Sequence, residues 1–117
     1  MSQRPGRVQE AIHQEVAKIL QEEIKDPRLG FLTVTRVELT KDLRYARIYF
    51  SVLGEDKDSA LALKGLKSAT GYIKGRLSDK IEMRYMPDIE FKIDKSWQHV
   101  KKVQDLLDKI DKERKGE

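Results

Sequence analysis

A chain of 117 residues with a formal net charge of +4 and no cysteine is of single-domain size, and disulfides, thiolate metal sites and a cysteine nucleophile are excluded. Hydrophobic and charged residues each make up 38%, enough for a thin two-layer core under a heavily solvated exterior. No apolar run reaches the roughly 20 residues of a membrane-spanning helix, and the first eleven residues lack the apolar stretch of a secretory leader. A cytoplasmic protein with an anionic partner is expected, nucleic acid ahead of a membrane surface.

Val8, Ile12, Val16, Ile19, Leu20 and Ile24 recur at spacings of three and four, predicting an amphipathic helix over residues 5–25. Pro5 suits its first turn, and Asp26-Pro27 ends it. Residues 31–39 are rich in β-branched side chains and read as a strand. After a turn at 40–42, residues 43–53 read as a second strand. Ala46, Ile48, Phe50 and Val52 face its core side, and Tyr45, Arg47, Tyr49 and Ser51 the other.

Asp58 or Ser59 is expected to cap the next helix. That helix opens a pair, with Ala60, Leu63 and Leu66 as its apolar stripe before a joint at Ala69-Thr70-Gly71, and Tyr72, Ile73 and Leu77 after it. Residues 83–94 read as a third strand with Ile89, Phe91 and Ile93 inward and Pro87 marking its start or an edge. Ser96 is expected to cap a last helix carrying Trp97, Val100, Val103, Leu106, Leu107 and Ile110, after which the tail at 114–117 frays. The expected domain is residues 1–113.

The order α-β-β-α-α-β-α pairs the first two strands as a hairpin. Its helical crossover sets the third strand parallel to the second. The expected fold class is α+β, KH-like type II, with a three-stranded mixed sheet covered by helices on one face.

The charge is concentrated. Between Ser59 and Lys80 stand Lys64, Lys67, Lys74, Arg76 and Lys80 against one acid, Asp79, a local excess equal to the charge of the whole chain. Such a helix joint can cradle a phosphate backbone: cations neutralise phosphates, and a glycine lets the backbone approach. Ser68, Ala69, Thr70 and Gly71 at the joint, and Arg4 and Arg7 at the N-terminus, complete the candidate RNA-binding set. The plainer alternative is a solvated, solubilising helix face. Tyr45, Arg47 and Tyr49 fit either a stacking platform for bases or ordinary cross-strand packing. His13 and His99 have no neighbours at metal-ligand spacing, and Glu22/Glu23 and Asp108/Asp111 lack an organised nucleophile. No metal, cofactor or catalysis is expected.

Arg4-Pro5-x-Arg7-Val8, residues 26–54, Ala69-Thr70-Gly71 and residues 83–96 together resemble the bacterial ribosome-binding factor A family. The resemblance implies a KH-like fold whose usual G-x-x-G loop is replaced by a kinked A-x-G joint. It also implies a non-enzymatic assembly factor that binds the free small (30S) ribosomal subunit and its 16S rRNA. Late maturation, 5′-end processing of that RNA and growth in the cold come with the same resemblance. Residues 97–102 depart from the family pattern. The rival readings are a generic single-stranded-RNA module and a protein–protein adaptor. A monomer is expected.

Overall fold

A computed structural model describes residues 5–95 together with Leu107 and Ile110. Helix α1 (Pro5–Glu22) forms over the predicted periodicity and buries Val8, Ile12, Val16, Ile19 and Leu20. It unwinds three residues earlier than the pattern suggests. The Glu23 and Ile24 N–H groups both close onto the Ile19 carbonyl, and the chain passes into a 3-10 turn, Pro27–Leu29. Asp26 caps that turn by accepting from the Arg28 N–H at 3.0 Å. Gly30, at φ +54°, supplies the left-handed exit.

Strand β1 (Leu32–Leu39) pairs antiparallel with β2 (Tyr45–Val52), and β3 (Asp88–Ile93) lies parallel to β2 on its other side. Helix and strand types therefore fall as the sequence predicts, with the second and third strands trimmed at their ends. Ala46, Ile48, Phe50 and Val52 are all buried, as alternation requires. In β1 the alternation carries one extra residue. Val34 pairs Phe50 and Arg36 pairs Tyr49, leaving Thr35 as a bulge. The bulge lets both Val34 and Val37 face inward.

The hairpin bend is closed by Leu43 N–H to the Thr40 carbonyl at 2.9 Å and Thr40 N–H to the Tyr45 carbonyl at 3.0 Å. Leu43 sits at φ +59°. A side chain with a Cβ costs about 1 kcal/mol in that left-handed region.

Helix α2 (Asp56–Lys80) is a single unbroken helix of 25 residues, which corrects the expected helix pair with its kinked joint at residues 69–71. Three local facts explain the continuity. Gly71 has no positive φ. The Ser68 and Thr70 hydroxyls donate to the Lys64 and Leu66 carbonyls four residues back, at 3.1 and 2.9 Å, a reach that exists only where the chain stays helical. Finally, Ala62, Leu66, Ile73 and Leu77 form one buried stripe across the expected joint, which a break would swing off the sheet. The stripe also differs in detail from expectation, since Ala60 and Tyr72 are exposed. At its start, Asp58 does not cap but sits three residues in, accepting from the Glu55 N–H at 2.8 Å.

Both helices pack on one face of the sheet, α1 against β1 and α2 against β3 and β2. The fold class is the expected one, α+β with a mixed three-stranded sheet in the order β1-β2-β3. On the other face Arg36, Glu38, Arg47, Glu90 and Lys92 remain about half exposed. No helix among the described residues is long and apolar enough to cross a membrane. Arg4, the expected last helix from Ser96 with His99, and the tail at 114–117 lie outside the described residues, Leu107 and Ile110 excepted.

Candidate nucleic-acid interface

Burial of the α2 stripe on the sheet turns the opposite side of the helix to solvent. Lys64, Lys67, Ser68 and Gly71 are exposed there, three and four residues apart on adjacent turns. Lys64, Lys67 and Lys80 have no carboxylate within ion-pairing distance among the described residues. A Cβ added at Gly71 or Gly75 would meet nothing within 4 Å, so this part of the helix presents bare backbone to any approaching molecule. Gly71 serves neither a positive φ nor tight packing inside the fold.

The other two predicted cations are already engaged. Lys74 Nζ pairs with Asp88 at the start of β3. Arg76 Nε reaches Glu23 Oε1 at 2.8 Å, and its Nη1 reaches Asp79 at 3.3 Å. The Tyr72 hydroxyl donates to the same Glu23 oxygen at 2.6 Å. That hydroxyl first, and the Arg76 guanidinium second, hold the Glu23 carboxyl below its ordinary range, while bonding to Glu23 raises the Tyr72 phenol and the Arg76 guanidinium. Arg76 thereby clamps α2 to the end of α1. Ser68 and Thr70 spend their hydroxyl protons on helix carbonyls, so they face outward only as acceptors.

A groove of about 420 Å³ runs between α2 and β3, lined by Leu63, Lys67, Thr70, Ile89, Phe91 and Lys92 among others. Its floor is apolar and its rim carries Lys67, Lys92 and Lys95 with one acid, Glu90, which lies 3.7 Å from the Lys92 ammonium. The strand that borders it has no partner on its outer side among the described residues, so backbone polar groups of β3 face the groove's open side. Sequence reasoning missed Lys92 and Lys95. Alternation with the inward Phe91 and Ile93 assigns residue 92 to the sheet face away from the helices, and only its place on an edge strand lets it border the groove.

Arg7 is exposed at the first turn of α1, roughly 24 Å along that helix from Glu23, which touches α2. Arg7 makes no ion pair or hydrogen bond with α2 among the described residues, although its neighbour Val8 lines a groove with Glu82 and Met83 just beyond the end of that helix. Tyr49 on the outer sheet face is covered rather than offered: the Arg36 guanidinium lies 3.9 Å from its ring centroid, and its hydroxyl donates to Glu38 at 3.2 Å. Cross-strand packing is the better description of that face. No group of three metal-ligating side chains occurs among the described residues.

A mixed three-stranded sheet, helices on one face and a long cationic helix beside a parallel edge strand define a KH-like domain. The chain belongs to the ribosome-binding factor A family, whose sequence profile matches residues 4–107. It is 42% identical over 110 residues to ribosome-binding factor A of Desulforamulus reducens, covering 94% of this chain and 92% of that one. The protein of the same name from Thermomicrobium roseum is 40% identical over 113 residues, at 97% and 88% coverage. The crystal structure of ribosome-binding factor A from Thermus thermophilus matches with a TM-score of 0.69 at 28% identity, over 77% of this chain and 94% of that one. A Thermus thermophilus homology model fitted into a cryo-EM map of a 30S complex with that factor matches with a TM-score of 0.60 at 28% identity. It covers 73% of this chain and 89% of that one.

Proposed function

We propose that this chain is a non-catalytic assembly factor that binds the free small ribosomal subunit through its 16S rRNA, with the α2–β3 groove as the docking surface. The observation that carries the reading is family membership, together with a relative fitted into a 30S complex. The exposed, unpaired Lys64 and Lys67 beside bare helix backbone supply a physical means of gripping phosphates. The factor works as a single domain and a single copy in the cytoplasm, where its partner is. It acts by differential affinity, favouring one conformation of an immature subunit and leaving when maturation removes that site. Late maturation, including 5′-end processing of 16S rRNA, is the process served.

The contact set divides by geometry. Lys64, Lys67 and Lys80 are ready to meet phosphates, with Gly71 allowing close approach, whereas Ala69 packs towards the core and Lys74 and Arg76 must first leave Asp88 and Glu23. The test is sucrose-gradient sedimentation of lysate at low and high salt, with the protein detected in each fraction. Co-migration with free small subunits that is lost at high salt is the expected result. Lys64→Gln with Lys67→Gln should shift the protein to the top of the gradient at moderate salt. Each lysine removed should also lower the log–log salt slope by roughly 0.7 to 0.9. Wild-type protein that stays at the top even at low salt would overturn the assignment.

A further inference from the structure

At the hairpin end of the sheet, away from the α2–β3 groove, a second groove of about 900 Å³ lies between the 40–44 bend and the segment leading into β3. Leu43, Arg44 and Tyr45 line one side, and Arg84 and Tyr85 the other. The two sides are tied by the Asp88 N–H donating to the Arg44 carbonyl at 2.8 Å and by the Tyr45–Asp88 register of the parallel pair. Tyr85 is 77% exposed and Tyr45 48% exposed, unusual for two large rings beside one another's groove.

Three acids, Asp42, Glu82 and Asp88, and two arginines, Arg44 and Arg84, line the groove, and two of the acids are already engaged within the fold. Asp42 accepts from the Thr40 hydroxyl at 2.7 Å and from the Arg44 N–H at 3.1 Å, and Asp88 is held by Lys74. Arg44 keeps only a 3.9 Å contact to Asp42 and is largely solvated. Arg84 has no carboxylate within ion-pairing distance among the described residues and leans towards the Tyr85 ring at 5.7 Å. Glu82 is the remaining acid on the lining. Val8 also lines the groove, which brings in the positive end of α1: the first turn of that helix carries Arg7 and no acid.

We infer that this groove is a second RNA-contact site, in which an unstacked nucleotide lays its base against Tyr45 and Tyr85 while Arg44 and Arg84 hold the flanking phosphates. Arginines interleaved with exposed aromatic rings match what a single strand presents, a π-face and a phosphate at every step. The size agrees, since small-ligand pockets span roughly 300–1,000 Å³, whereas a protein partner would meet a broad, flatter patch. The inference rests on the RNA-binding reading above and adds a contact at the hairpin end of the sheet.

The test uses the full chain and a fluorescein-labelled uridine dodecamer, read by fluorescence anisotropy over a salt series. Tyr85→Ala should weaken binding roughly 5- to 150-fold, the effect of losing one stacked base, while Tyr85→Phe should keep near wild-type affinity. Because the Tyr85 ring is exposed, neither variant should disturb folding. Arg84→Gln should reduce the salt slope by roughly 0.7, the value for a single-stranded phosphate. Dodecamer binding unchanged in Tyr85→Ala, or lost equally in Tyr85→Phe, overturns the site. So does failure of the wild type to bind the dodecamer at low salt. If only Lys64→Gln with Lys67→Gln weakens binding, this groove is rejected and the α2–β3 surface stands; loss of wild-type sedimentation with small subunits would instead reject the functional reading itself.

Discussion

Two glycines in α2 should respond to the same substitution with opposite signs. At Gly71 an added Cβ meets nothing within 4 Å and the backbone has no positive φ. Gly71→Ala therefore only removes glycine's excess unfolded-state freedom, a gain of about 0.5–1 kcal/mol. For a domain of this size that raises Tm by about 2–5 °C. At Gly65 the Cβ would stand 3.0 Å from Leu29 Cδ2 and 3.2 Å from Asp26 Oδ2. Asp26 cannot retreat easily, because Arg28 grips its carboxylate through Nε and Nη2 at 2.7–3.1 Å. Overpacking there costs about 1–3 kcal/mol, which exceeds the helix-propensity gain and leaves Gly65→Ala less stable by about 1 kcal/mol. Urea unfolding and thermal melts of the two variants decide the matter. A destabilised Gly71→Ala would refute the unbroken-helix description at that point. If RNA backbone comes against this bare stretch, the same stabilised variant should sediment less with small subunits, separating stability from binding in one protein.

Three further outcomes can be checked with purified protein. Glu23 has its folded pKa depressed below 4.5 by Tyr72 and Arg76, so its stabilising share is full above that value and fades as pH falls through the folded one. Urea midpoints of wild type and Glu23→Gln should accordingly differ at neutral pH and draw together as pH falls through the folded value; a gap that does not narrow in acid would contradict the pairing. Leu66→Ala empties a fully buried position beneath α2 and should cost about 2–5 kcal/mol, measured by denaturant titration. Gln9→Ala leaves the Leu39 N–H, now bonded to Gln9 Oε1 at 2.8 Å, without its partner, a loss of about 1 kcal/mol; hydrogen exchange at Leu39 should quicken in step.

The first helix, the three strands and their core-facing sides were legible because each rests on a short-range period. Ile12, Val16 and Ile19 repeat as a helix must, and Ala46, Ile48 and Phe50 as a strand must. The Thr35 bulge was legible too, in principle. Inward residues at 34 and 37 cannot share a face at a period of two unless one residue is extra. The joint at 69–71 misled because glycine reads locally as a breaker, whereas the buried stripe from Ala62 to Leu77 outweighs that preference. Pairing was out of reach altogether. Nothing in the spacing says that Arg76 would turn to Glu23, 53 positions away, or that Lys74 would meet Asp88. A basic run records how many cations are present, and only the fold decides which of them remain unpaired.

Two side chains of α1 take up backbone groups on the outer edge of β1. Gln9 takes up the Leu39 N–H, and His13, through Nε2–H, donates to the Val34 carbonyl at 3.0 Å beside the bulge. A ribosome delivers chains N-terminus first, so α1 is available before the hairpin whose edge it must cover has been made. The β1 edge, otherwise a template for sticking to a neighbouring copy, need never be bare while nascent chains crowd together on one message. A chain shortened by its first helix would lose that protection and should aggregate through β1 before it could reach a ribosomal partner.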